Sequence, residues 1–194
     1  MKKKYILTDE TIEYLGHTLH RIKAVKDFAT ISAGTLGGYV ESETNLDHTG
    51  AAWVYENAKV SENAKVYGDA KVSGDAWVSG DARVSGDAWV SGDAKVYGDA
   101  WVSGNAWVTG DAMVTGDAMV RETSDIALIK GFGSKLRATS FFRCVDGLVR
   151  CQCGCFYGTV DEFRSKVRET HGNSKYAKEY LMIADLMELH FKED

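Results

Sequence analysis

The sequence predicts a mainly-β chain built on a parallel β-helix, with a β cap before it and a small α+β unit after it. Three observations predict this. Val recurs every six residues from Val54 to Val114, and Val120 starts one more copy. Ala follows four places after each Val, from Ala58 to Ala118, and from Gly68 onward Gly and then Asp or Asn stand between them, as in Val78-Ser79-Gly80-Asp81-Ala82-Arg83. From residue 139 the period vanishes, and a hairpin signal and two helical stretches replace it. A fixed short period is the mark of a solenoid.

Six residues fit no α-helical face, which needs apolar positions about every 3.6 residues. They do fit a short strand and a tight corner. In Trp77-Val78-Ser79, alternation turns Val78 inward and its neighbours outward. Gly80-Asp81 turns the chain, because Gly accepts positive φ and Asp hydrogen-bonds its own turn. Ala82 then points inward, where little else fits. Three phrases make a triangular coil, and coils stack about 4.8 Å apart with Val on Val and Ala on Ala.

The phrase resembles the hexapeptide-repeat left-handed parallel β-helix family, whose signature is an aliphatic residue with a small residue four places on. The resemblance implies the left hand and favours side-by-side oligomers. The family includes acyltransferases and γ-type carbonic anhydrases, whose catalytic or metal-binding His residues come from coils or interrupting loops. No phrase between Val54 and Met119 holds His, Cys or an insertion, so neither activity is carried over.

Residues 1–35 are expected to cap the first coil. Tyr5-Ile6-Leu7 reads as a strand, and Ile12-Glu13-Tyr14 and Thr18–Ile22 flank a turn at Leu15-Gly16. The β-helix is expected over residues 36–130, with Leu36 in the Val slot, Val40, Leu46 and Ala52 in the small-residue slot, and His48 as an irregularity in a Val slot. Ile126 is still in register, and Ile126 to Ala138 should close the last coil. Gly131-Phe132-Gly133-Ser134 reads as a loop.

Residues 139–194 form a different unit. Asp146-Gly147 between two apolar runs signals a two-residue hairpin, which would pair Cys144 with Val149 on the same face as Cys151. Thr159-Val160-Asp161-Glu162 is a capping box. Its helix buries Phe163 and Val167 and stops at Gly172. A second helix runs from about Ser174 to His190, with Tyr176, Tyr180, Ile183 and Met187 on one stripe.

The net charge is −5 over 194 residues. Between Val54 and Met119 lie ten acidic and five basic residues, so the repeats carry the whole imbalance. That argues against direct nucleic-acid binding, which needs a basic face, and it allows a basic partner. Only Ile6-Leu7 follow the leading Met1-Lys2-Lys3-Lys4. No secretory apolar region or membrane span is expected, and the cytoplasm is the expected compartment.

All five Trp, namely Trp53, Trp77, Trp89, Trp101 and Trp107, occupy the slot before Val. That slot points out from a flat face. Residues eighteen apart stack, so Trp53, Lys71, Trp89 and Trp107 form one column, Lys59, Trp77, Lys95 and Met113 a second, and Lys65, Arg83, Trp101 and Met119 a third. Columns of Trp beside Arg83 are the material of interface hot spots. The bland alternative is a cover over the Val-Ala core with indoles laid on Lys and Arg stems. Corner Asp columns are explained by turn chemistry, ahead of Ca²⁺ binding.

Four Cys cluster between Cys144 and Cys155. Cys151, Cys153 and Cys155 alternate, and with His171 they make a candidate structural Zn²⁺ set. The alternative is Cys as small buried hydrophobes.

The layout also resembles small proteins of bacteriophages and prophages, through Leu36-Gly37-Gly38-Tyr39-Val40-Glu41-Ser42-Glu43 and Cys153-Gly154-Cys155-Phe156 leading to Thr170-His171-Gly172. This implies a non-enzymatic, anti-CRISPR-like binding protein whose partner is a host protein such as a nucleic-acid-binding defence effector. A structural homo-oligomer and an acyltransferase-like enzyme are the alternatives.

Overall fold

The computed structural model describes residues 3–192; Met1, Lys2, Glu193 and Asp194 lie outside them. From Trp53 to Val120 the chain makes a two-residue strand every six residues. Each strand pairs in parallel with the strand eighteen residues away, as Trp53↔Lys71↔Trp89↔Trp107 and Lys65↔Arg83↔Trp101↔Met119. The three expected columns are therefore the three faces of a solenoid. Every Val and Ala of the phrase is at most 1% exposed, so the interior is an unbroken stack of small apolar groups.

The corner glycines serve two needs at once. Gly80 has φ +68, and a Cβ added there would sit 2.9 Å from the backbone N of Gly98 in the next coil. Stacking distance and backbone hand thus both exclude a side chain. The first coils solve the corner differently. Glu56 and Glu62 adopt φ 52 and 59, and their carboxylates accept from the amides of Gly74 and Gly80 in the coil that follows.

The cap is a hairpin of β1 (Tyr5–Tyr14) and β2 (His17–Ala24), followed by β3 (Leu36–Val40). Leu15 and Gly16 turn it, both at positive φ. β3 pairs antiparallel with β2 and in parallel with Lys59-Val60, so it is the junction of cap and rod. Here the expected register is corrected. Val40 lies opposite Val60 and Leu46 opposite Val66, twenty residues away and in the Val slot. Leu36 is half exposed, whereas Ala52 is buried. Two extra residues are absorbed between Leu46 and Ala52, and His48 belongs to that irregular stretch, with its ring stacked 4.4 Å from that of Tyr5. The Lys4 amine, buried there, donates to the carbonyls of Thr49, Gly50 and Ala52. Burial pushes its pKa down to about 8.

The far end is closed by an antiparallel sheet of β16 (Ile126–Ile129), β17 (Thr139–Arg143), β18 (Val149–Cys153) and β19 (Phe156–Thr159), where β4 to β15 are the short strands of the rod. Ile126 packs partly against the solenoid core, but it starts a strand of this sheet instead of closing a coil. One face of the sheet plugs the rod with Phe142 and Cys144. The other face carries Phe141 and Cys151 against α1 (Val160–His171) and α2 (Lys175–His190).

Thr159 caps α1 through the expected box, with its hydroxyl accepting from Glu162 N, and Gly172 ends the helix. On α2 the buried stripe is Ala177, Tyr180, Ile183, Ala184 and Met187, while Tyr176 is exposed. The β17–β18 turn differs from the expected one. Arg143, not Cys144, pairs with Val149. Gly147 at φ +81 follows a turn closed by Gly147 N donating to Cys144 O, which makes a three-residue loop. Asp146 selects it by accepting from Leu148 N and from the Arg150 guanidinium. Cys144 and Cys151 therefore face opposite sides of the sheet. No helix among the described residues is long and apolar enough to cross a membrane.

Candidate functional site

The outward slots do not all reach solvent. Trp53 is fully buried, because Phe28 and Tyr5 of the cap pack edge-on against it at 5.4 and 6.2 Å. Its place in an exposed binding surface is thereby corrected. Trp77 is half-buried beneath Tyr14 at 5.4 Å. Trp89, Trp101 and Trp107 remain open, at 36, 37 and 55% exposure. Arg83 is exposed on the same face as Trp101.

The open indoles are partly tied to the rod by bonds that sequence reasoning missed. Trp77, Trp89 and Trp101 each donate Nε1–H to a serine of the coil below, Ser61, Ser73 and Ser85, at 2.9–3.1 Å. The signal was present as a spacing of sixteen. Where the residue sixteen places earlier is Tyr instead, at Tyr55, Tyr67 and Tyr97, the slot holds Lys71, Arg83 or Met113. An indole needs the small partner beneath it both for room and for its hydrogen bond. Trp107 stands over Ser91 without such a bond among the described residues and packs edge-on against Trp89 at 5.5 Å. Among the described residues, only the Lys71 ammonium lies over an open indole, 5.8 Å from the Trp89 ring; that of Lys59 lies over Tyr14.

Carboxylates line the corners between these faces. Asp69, Asp75, Asp81, Asp87, Asp93 and Asp99 are exposed. The next two belong to the closing sheet: Asp111 pairs with Lys130, and Asp117 accepts from Tyr157 and pairs with Arg150. The belt from Asp69 to Ser103 therefore keeps open both its corner acids and the indoles of Trp89 and Trp101.

The thiols are spread through the closing unit. Cys144 plugs the solenoid, and burial pushes its thiol up to about 11. Cys151 lies in the core under the helices, where burial raises its pKa well above the ordinary thiol range. Cys153 accepts from the Thr139 hydroxyl at 3.1 Å and lies against Tyr180, whose pKa rises to about 12 through burial and then through Cys153. Cys153, Cys155 and His171 line one cavity of about 290 Å³. Among the described residues, no three His, Cys, Asp or Glu side chains are arranged to hold a metal ion.

A larger open groove, of about 650 Å³, runs between the hairpin and the ends of α1 and α2. Of its two cations, Arg164 and Lys192, Arg164 is already paired with Asp161, Asp185 and Glu188.

A family model described as the YdcK beta-solenoid repeat matches residues 76–92. Those residues span one coil of the belt just described. No curated protein matches the chain. The repeat geometry and the family model agree that this is a β-solenoid repeat protein.

Proposed function

We propose that the chain is a non-catalytic binding protein whose open, acidic, Trp-bearing belt docks into the basic nucleic-acid groove of a partner protein. The observation that carries this is the belt's charge density. From Asp69 to Gly104, two coils present six corner carboxylates against Lys71, Arg83 and Lys95. Two coils rise about 9.6 Å, so one net negative charge falls every ~3.2 Å, close to the ~3.4 Å spacing along one strand of duplex DNA. Carboxylates held on a rod lose little entropy on docking and steer a basic partner from a distance. Trp89, Trp101 and Trp107 would supply the apolar anchors that pure charge lacks. The resemblance to phage proteins favours a bacterial host's defence nuclease, a CRISPR effector included, as that partner, met in the host cytoplasm.

The test is capture from a bacterial lysate with the full chain as bait, against a variant carrying Asp75→Asn, Asp81→Asn, Asp87→Asn, Asp93→Asn and Asp99→Asn. Asn already occupies this corner at Asn105, so the variant keeps its turns. Nucleic-acid-binding proteins should be captured by the native chain, released by duplex DNA, and lost at least about tenfold from the variant. Equal capture by both baits would overturn the reading.

Self-association is the second reading, and the observation that favours it lies on α2. Met182, Leu186 and Leu189 are 71, 54 and 70% exposed and fall on one stripe. If this stripe is a contact between copies, the native chain measures as a multiple of 21.3 kDa in solution, and Leu186→Glu returns it to a single chain. A native mass of one chain would dismiss that reading.

A further inference from the structure

The cavity of about 290 Å³ in the closing unit has a chemistry opposite to the rest of the molecule. The chain is net acidic, yet no carboxylate lines this cavity, and Lys135, Arg137 and Lys166 do. Lys166 is paired with Glu169. Lys135 and Arg137 make no ion pair among the described residues, so two cations face the opening uncompensated. The floor is apolar and fixed, formed by Phe163 and Tyr180, whose rings meet edge-on at 5.6 Å.

Two glycines shape the walls. A Cβ at Gly154 would come within 2.7 Å of Arg137 Nη1, so the bare backbone there makes room for the guanidinium. A Cβ at Gly133 would overlap the Tyr180 ring at 2.0 Å, so the loop before β17 can lie down on the floor residue. Nearby Glu179 is occupied by Gly133 N and Lys175. A concave site with an apolar floor and a few convergent polar groups is the usual form of a small-molecule site, and this one is at the small end of the ~300–1,000 Å³ range.

We propose that this cavity binds a small organic anion: an apolar ring or short chain bearing one acid group, with the body on Phe163 and Tyr180 and the acid between Lys135 and Arg137. The guanidinium fork suits a planar or tetrahedral oxyanion. This site is separate from the acidic belt and does not depend on the partner proposed above.

Cys155 is exposed at the cavity's edge, while Cys144 and Cys151 are buried. It therefore serves as a reporter on the full-length chain. Its alkylation by iodoacetamide, read by peptide mass, should slow about fivefold in about 4 mM naphthalene-2-sulfonate, as expected for a Kd near 1 mM when the bound form is fully protected. The neutral naphthalene-2-sulfonamide should give no protection. Arg137→Gln, and separately Lys135→Gln, should abolish the sulfonate effect, each variant being compared with its own unliganded alkylation rate because a nearby cation also sets thiol reactivity. Both side chains lie at the surface, and a thermal melt of each variant confirms folding. Equal protection by the neutral analogue, protection by neither compound, or protection unchanged in both variants would overturn the proposal. So would protection by micromolar Zn²⁺ alone, which would make Cys153, Cys155 and His171 a metal site instead.

Discussion

Trp53→Ala is expected to lower the free energy of unfolding by about 3–5 kcal/mol. Trp53 is fully buried between the rod and its cap, with Phe28 and Tyr5 on its indole. Removing the indole leaves a void that two aromatic rings attached to different segments cannot both fill. The cap should loosen first, because Phe28 and Tyr5 pack directly on the lost indole, leaving Ile22, Ile31 and the hydrogen bonds of Lys4 and Tyr5 to hold it. Urea unfolding measures the loss, and amide exchange should show it concentrated over Tyr5–Ala24. Trp53→Phe is the informative partner. The indole nitrogen is buried with no hydrogen-bond partner among the described residues. Phe keeps most of the apolar area and removes that unsatisfied donor, so its cost should fall below about 1.5 kcal/mol. Equal losses for Ala and Phe would mean that the full shape of the indole, not the apolar area that Phe keeps, holds the cap.

Ala88→Leu should cost about 3 kcal/mol or more, from the opposite cause. Ala88 points into the solenoid at 0% exposure, flanked in its column by Ala70 and Ala106, which are equally buried. Above and below, the backbone is fixed by Lys71 N donating to Ala88 O and Trp89 N donating to Ala106 O, both at 2.9 Å. Coils about 4.8 Å apart leave no room to splay for three extra carbons. Relief requires breaking those two rungs, so the rod should lose protection at the middle coils before either end. Calorimetry should then show a broadened transition, since coils interact only with neighbours. A single sharp transition at the native temperature would show that the interior has slack the stacking argument denies.

How much of this was legible in the sequence follows from where the repeat is strict. Within Val54–Val120 the spacing predicted faces, columns and individual partners, down to Lys95 beside Trp77, because each position has one environment repeated many times. It failed where tertiary contact overrides that equivalence. Trp53 and Trp107 occupy the same slot of the same Ala-Trp-Val phrase, yet one lies under a cap and the other is mostly exposed. The first coil was misplaced because two residues enter between Leu46 and Ala52, where the phrase has degenerated although Gly50 still turns the corner at φ +65 against Gly68. In the closing unit, one aspartate changed the outcome. Asp146 converts the expected tight turn into a longer loop, and that single step sends Cys144 into the solenoid and away from Cys151. Cys153, Cys155 and His171 line one cavity, while Cys151, grouped with them in the sequence, lies in the core under the helices, and the loop carrying Lys135 and Arg137 offered no pattern to read.

Both open ends of the solenoid are occupied by the chain's own segments, Tyr5, Ile22 and Ile31 at one end and Phe142 and Cys144 at the other. The cap reaches along the rod to Trp77 through Tyr14 and the closing sheet to Gly110 through Leu128, which leaves the stretch between them to the repeats. Length is therefore a free parameter of this architecture: a duplication or deletion of eighteen codons would insert or remove one storey, shifting the reach of the acidic belt by about 4.8 Å while every existing junction is kept. Evolution can tune such a molecule to the span of its target by counting storeys, without redesigning either lid.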